Sequence, residues 1–191
     1  NQVQHFAALP FLQAPEFYQA LSTLEGSAAL GFRWLLLTAS RTTEARLARW
    51  DEIDQERRTW TVPVERMKSR RPHVVPLSTE ACRVLDAAHA MRSDAFIFSG
   101  MRRDSGLSNG AFLQVLARHF MHLEMTPHGW RSTFRDWAEE QGRYTRHAIK
   151  MSLAHTVQNH VEAAYLRTDV STMRRQLLED WGNYLRGVGH D

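Results

Sequence analysis

Apolar positions recur along this chain with two different periods, and the change of period outlines the expected architecture. "APEFYQALSTL" reads as a short helix with Pro15 in its first turn, where proline is well tolerated. "SAALGFRWLLLTAS" is apolar on almost every side and interrupted only by Arg33, the pattern of a buried core helix. "RTTEARLARW" continues as a brief helix that begins at Arg41. Over residues 49–77 the period falls to two. "WDEID" and "TWTVP" alternate around a charged turn at residues 54–58, and "HVVPL" follows the basic turn "ERMKSRR", which predicts three short strands.

From Ser78 onward the pattern is helical. Ser78 or Thr79 can cap "EACRVLDAAHAM", and Ser108 can cap "NGAFLQVLARHF". Between them, "SDAFIFSGMRRDSGL" reads as a buried apolar piece leading into a Gly/Ser/Arg loop. "TPHGWRST" then opens a helix whose Trp130, Phe134 and Trp137 share one face. "TRHAIKMSLAH", "NHVEAAYLR" and "STMRRQLLEDWGNYL" complete the chain, the last with Met173, Leu177, Leu178, Trp181 and Leu185 on one side. The expectation is one mainly α domain over residues 1–191 with a small antiparallel sheet, without internal repeats or linkers.

Composition narrows the class. With 191 residues and 43% hydrophobic content the chain can bury a substantial core, which argues against disorder. The only lysines are Lys68 and Lys150; every other basic side chain is arginine. The planar guanidinium fork suits phosphate, so a polyanionic partner is plausible, although arginine usage can equally follow genomic base composition. Cys82 stands alone, which excludes an internal disulfide or a thiolate metal cluster and fits a reducing, cytoplasmic setting. No signal peptide or membrane-spanning run is visible, and a start at Asn1 reads as a C-terminal fragment of something longer.

The candidate chemistry lies in a few basic residues. His128 and Arg131 fall together at a helix start, where the macrodipole favours negative charge, so the pair asks for an anion. Arg41 opens a short helix, Lys68 sits in a turn between strands, and His155 ends a helix at a turn. Tyr165 follows ten residues later. Singly, each has an ordinary role: an i,i+3 ion pair for Arg41 with Glu44, an exposed turn for Lys68, helix-end contacts for the histidines, core packing for Tyr165. No HxxxH, HExxH, GxSxG or Walker-type pattern appears, which removes the commoner metal, serine-hydrolase and nucleotide sites.

In combination, "RTTE", a turn lysine, "HGWR", "LAH" and "EAAY", in that order, resemble the tyrosine recombinase family, with phage- and island-type integrases closest in "ERMKSRRPHVVPLS" and "LAH…VEAAYLR". The resemblance runs from "HFAALPF" to "DWGNYL" and implies the integrase catalytic-domain fold. It further implies that Arg41, Lys68, His128, Arg131 and His155 surround a scissile DNA phosphate that Tyr165 attacks, with Glu44 holding Arg41. No metal, cofactor or ATP is then required. Double-stranded attachment sites, a homo-tetramer on DNA and an accessory DNA-bending protein are the partners it suggests, and the last helix would dock on a neighbouring protomer. Two departures stand out: "TASRTTE" lacks the glycine usual before the first arginine, and "LAH" replaces the commoner "LGH". A type IB topoisomerase, a non-catalytic DNA-binding module and a histidine-dependent nuclease using His128 and Lys68 remain alternatives.

Overall fold

The central element is helix α2 (Ser27–Thr38), and its sequence explains its place. Residues Ala29–Phe32 and Trp34–Thr38 are all buried, so the helix must be enclosed by others. The one charged residue in it, Arg33, reaches out to Glu80, with Nη2 3.1 Å from the carboxylate. The Tyr18 hydroxyl donates to the same carboxylate at 2.8 Å. The computed structural model describes residues 7–67, 69–155 and 167–188, with side chains of the last stretch described from 170 onward. Lys68, Tyr165 and all of "NHVEAAYLR" except its final Arg167 therefore lie outside the described residues.

Helix α1 (Ala14–Ser22) has proline in its first turn and buries Ala14, Phe17, Tyr18 and Leu21, with Phe17 against Phe32 of α2. After α2 the chain turns through Ala39 into α3 (Thr42–Arg46), shorter than the ten residues expected. A three-stranded antiparallel sheet follows, β1 (Ile53–Asp54), β2 (Thr59–Val62) and β3 (His73–Pro76), in the order β1-β2-β3. Its position within residues 49–77 is as expected, but "WDEID" is only half strand. Trp50–Glu52 is a 3₁₀ turn because the Glu52 carboxylate folds back to the Arg49 N–H and also accepts from Trp60 Nε1. The register pairs Trp60 with Val75 and Val62 with His73, directing Trp60, Val62, Val75 and His73 inward. Trp60 meets Trp34 of α2 with ring centroids 5.2 Å apart.

Helix α4 (Thr79–Ala90) is capped by Ser78, whose Oγ accepts from Ala81 N at 3.1 Å. Ser108 does not act this way for α5 (Ala111–His119): its backbone carbonyl, not its hydroxyl, takes the Ala111 N–H, and Gly110 is the N-cap. Helix α6 (Trp130–Glu140) begins three residues after Pro127, which lies in the preceding turn. Helix α7 (Arg146–Ser152) is capped by Thr145, and α8 (Arg167–Leu185) closes the domain.

The apolar face of α8 is spent within its own chain, against the expectation of docking on a neighbour. Leu177, Leu178, Trp181 and Leu185 are each no more than 1% exposed. Trp181 lies against Trp137 of α6 at 4.9 Å between centroids, and Trp130 and Trp181 both donate their indole N–H to the Leu36 carbonyl of α2. The large aromatic area fills the gap between α2 and α6, so removal would open a cavity. Arg174, not Met173, occupies the inward position at the start of this face. No helix among the described residues is long and apolar enough to cross a membrane.

Candidate active site

The two sequence departures prove to be the two corners on which the site is built. Ala39, at the C-terminus of α2, adopts φ 47° and ψ 28°, the left-handed conformation that glycine takes without steric cost. That turn places Arg41 at the N-cap of α3, where the Glu44 carboxylate accepts from both the Arg41 backbone N–H and its Nη1, each at 2.8 Å. Glu44 is buried while Arg41 stays partly exposed, so the acid orients the arginine and leaves part of its fork toward solvent. The expected i,i+3 pair is present.

The second corner ends α7. Ala154 has φ 52°; the Ala154 N–H bonds Met151 O, and the His155 N–H bonds Lys150 O at 3.0 Å. This is a Schellman closure with alanine in the usual glycine place. It sets His155 at the surface, and it turns the Leu153 carbonyl inward.

Arg131 joins the corners. Its Nη1 donates to Ala39 O at 2.6 Å and its Nη2 to Leu153 O, and the residue is only 8% exposed. One rigid fork thus fixes the turn before Arg41 and the turn before His155. Burial, then the charge of Arg41, lowers the Arg131 pKa to about 10, with Glu44 opposing; at neutral pH it remains a cation. His128, just ahead of α6, is exposed yet partly desolvated. Desolvation, Arg131 and Arg41 push its pKa down. His155 is pushed down by desolvation, then by Arg131, Arg41, Arg135 and Lys150. The same two arginines therefore act on both imidazoles, and Arg41, His128, Arg131 and His155 come together at one place. Both histidines are held toward the neutral form, so the positive charge belongs to the arginines.

The start of α6 contributes less than its position suggested. Arg131, Ser132 and Thr133 N–H groups bond His128 and Gly129 carbonyls, and Gly129 N–H bonds Thr126 Oγ1. Those donors are used internally, so an anion would be met by side chains. Gly129 is required for another reason: a Cβ there would stand 2.0 Å from Ala7 O.

Three contributors were not singled out from sequence. Arg66, before the Lys68 turn, donates to Glu44 O at 3.2 Å and pairs with Glu52. His73 and Arg174 are buried beside the site. Strand alternation signals His73, since residues 73, 75 and 77 fall on the inward face; Arg174 interrupts an apolar pattern and so carries no such signal. Among the described residues, no group of three or more His, Cys, Asp or Glu side chains gathers as for a metal ion.

The helical domain with its small three-stranded sheet has counterparts among known proteins. The phage integrase family matches residues 8–171, and the chain belongs to that family. It is 39% identical over 187 residues to the prophage integrase IntZ of Escherichia coli (strain K12), a match covering 96% of this chain and 46% of that protein. The chain spans about half the length of the curated relatives it matches. The fold is that of the lambda integrase catalytic core, with TM-score 0.57 and 19% identity over 81% of this chain and 94% of that one. A lambda integrase tetramer bound to a Holliday junction matches with TM-score 0.63 and 16% identity, over 84% of this chain and 50% of that one.

Proposed function

We propose that this chain is the catalytic domain of a site-specific DNA recombinase, an integrase that breaks and rejoins DNA through a covalent 3′-phosphotyrosine at Tyr165. The observation that carries the reading is the convergence of Arg41, Arg131, His128 and His155, with Arg131 bridging the two corners that present Arg41 and His155. Phosphodiester transfer builds charge on the non-bridging oxygens, and preorganised cations in a partly dry site stabilise it. Arg41 and Arg131 supply that charge. Neutral His128 and His155 supply hydrogen bonds, and an arriving phosphate favours their protonation, the reverse of what the arginines do alone.

Tyrosine has an ordinary pKa of about 10, so its phenol needs nearby cations to become a competent nucleophile. Attack by the Tyr165 oxygen, its phenol proton passing to a neighbouring base, forms the phosphotyrosine bond and expels the 5′-oxygen, which takes a proton from Lys68 acting as general acid. Because the ester bond is conserved, a second 5′-hydroxyl can displace the tyrosine without ATP. Glu44 holds Arg41 throughout. Double-stranded attachment sites are the substrate and a homo-tetramer the working assembly, with an accessory DNA-bending protein assisting. Membership of the phage integrase family supports this reading, as does the likeness to a recombinase tetramer on a junction.

The test is a nicked suicide substrate carrying attachment-site DNA, incubated with the full-length protein. A covalent adduct that contains phosphotyrosine and disappears in Tyr165→Phe is expected, with DNA binding retained. Binding without any adduct indicates a non-catalytic module, and cleavage without a covalent bond indicates a nuclease. An adduct accompanied by relaxation of supercoiled DNA, but no exchange between paired sites, indicates a topoisomerase.

A further inference from the structure

A closed circuit of buried polar contacts lies directly behind the site. The His73 imidazole on β3 faces the backbone carbonyl of Ser152, the last residue of α7, near enough for that carbonyl to favour its protonated form. The Ser152 Oγ accepts from Arg174 Nε of α8 at 3.4 Å. Arg174 Nη2 returns to β3, donating to the Val74 carbonyl at 2.7 Å. His73, Ser152 and Arg174 are 9%, 2% and 9% exposed, so the circuit is nearly dry.

Such a device has a cost that needs a reason. Among the described residues Arg174 has no carboxylate within ion-pair distance; its guanidinium is satisfied by neutral oxygens. A buried guanidinium of this kind stabilises no better than a well-packed apolar side chain, and what it adds is a defined geometry. The geometry it defines is next to the reacting centre. One residue after Ser152, the Leu153 carbonyl takes Arg131; the left-handed Ala154 and then His155 follow. The circuit therefore holds the corner from behind while Arg131 holds it from the front.

We infer that His73 and Arg174 are positioning residues for the phosphoryl-transfer site, clamping Ser152 so that Leu153 O meets Arg131 and His155 is presented at a fixed place. Neither side chain touches the phosphate; both act through the α7 corner. The inference rests on the recombinase reading and adds to it two residues whose effect is on geometry. An error of about 1 Å in a catalytic group can lower a rate ~10²-fold, which sets the scale.

The experiment is single-turnover adduct formation by the full-length protein on the suicide substrate, with DNA affinity and melting temperature measured in parallel. His73→Ala and Arg174→Met are expected to slow adduct formation by about 10- to 100-fold while DNA affinity stays within a few-fold. His73→Gln, whose amide can donate to the Ser152 carbonyl, is expected to recover most of the rate. If the larger changes prevent folding, Ser152→Ala removes only the Oγ acceptor and should still slow the reaction. The decisive readout is a double-mutant cycle with His155→Ala. If His73 acts through His155, the double variant is hardly slower than His155→Ala alone. Fully multiplicative defects, or variants as fast as the wild type, overturn the inference. Absence of any adduct from the wild-type protein overturns instead the recombinase reading beneath it.

Discussion

Replacing Ala154 by glycine should stabilise the protein although it deletes a side-chain atom. At φ 52° an L-residue carries about 1–2 kcal/mol of steric cost that glycine lacks. Against this, the greater freedom of glycine in the unfolded chain returns about 0.4–1 kcal/mol. Ala154 is only partly buried, so the lost methyl contributes little more, and the balance is a gain of roughly 0.5–1 kcal/mol. For a chain of this size that corresponds to a rise in melting temperature of roughly 1–4 °C. Ala39 offers an internal control: its φ of 47° is nearly the same, but it is 0% exposed. Loss of its buried methyl costs about 0.8 kcal/mol, which cancels the relief and leaves Ala39→Gly close to neutral. Calorimetric melts of the two single variants and the wild type decide the matter. A loss of about 1 kcal/mol in Ala154→Gly, as for glycine inside a helix, would refute the left-handed corner and with it the placement of His155.

Acid should destabilise the fold through His73. Burial, then Arg174, Arg131 and Arg41, lower its pKa from 6.5 to about 3, the Ser152 contact opposing. Below about pH 6.5 the unfolded chain takes up a proton that the native state refuses, so stability falls toward pH 3 at up to ~1.4 kcal/mol per unit. His128 and His155 shift in the same direction and add to the slope. Urea unfolding at pH 7 and pH 5 should show a loss of about 2 kcal/mol from His73, absent in His73→Gln; equal slopes in both proteins would contradict the assignment. Arg131→Ala should slow adduct formation by ~10²–10³-fold, and Arg131→Lys should recover little of it, because one ammonium cannot span Ala39 O and Leu153 O. A lysine variant near wild-type speed would show that charge alone suffices. Trp181→Ala should cost about 3–5 kcal/mol, and truncation after Thr168 should abolish folding. A folded truncated protein would return α8 to a role between protomers.

Much of this protein was legible along the chain because its strongest signals are local. The apolar period of α2, the alternation of β2 and β3, and the Ser78 cap depend on neighbours within a few residues, and each element lies where those patterns placed it. The order of "RTTE", "HGWR" and "LAH" likewise marked Arg41, Glu44, His128, Arg131 and His155 without any knowledge of contacts. The strand expected across "WDEID" was half wrong because Glu52 bonds to groups distant from its own pattern, Trp60 and Arg66. The helix-dipole reading of His128 and Arg131 overreached for a similar reason, since turn carbonyls already occupy the N–H groups at the start of α6.

Tertiary structure alone decided what the charged groups do. No pattern in "GWRST" says that Arg131 spans two left-handed corners more than twenty residues away on one side and more than ninety on the other, because a carbonyl's direction depends on the turn that carries it. Nor could the sequence say that the histidines are held neutral, which follows from summed desolvation and the nearness of two arginines. The apolar stripe of α8 suited a partner or a core equally well, since periodicity reports that a face is buried and not against what. The Trp130–Trp137–Trp181 cluster settled it by closing over α2 within the same chain. Local sequence determined the elements and the reactive residue types; the packing of distant elements determined their charge states, their orientation and their partners.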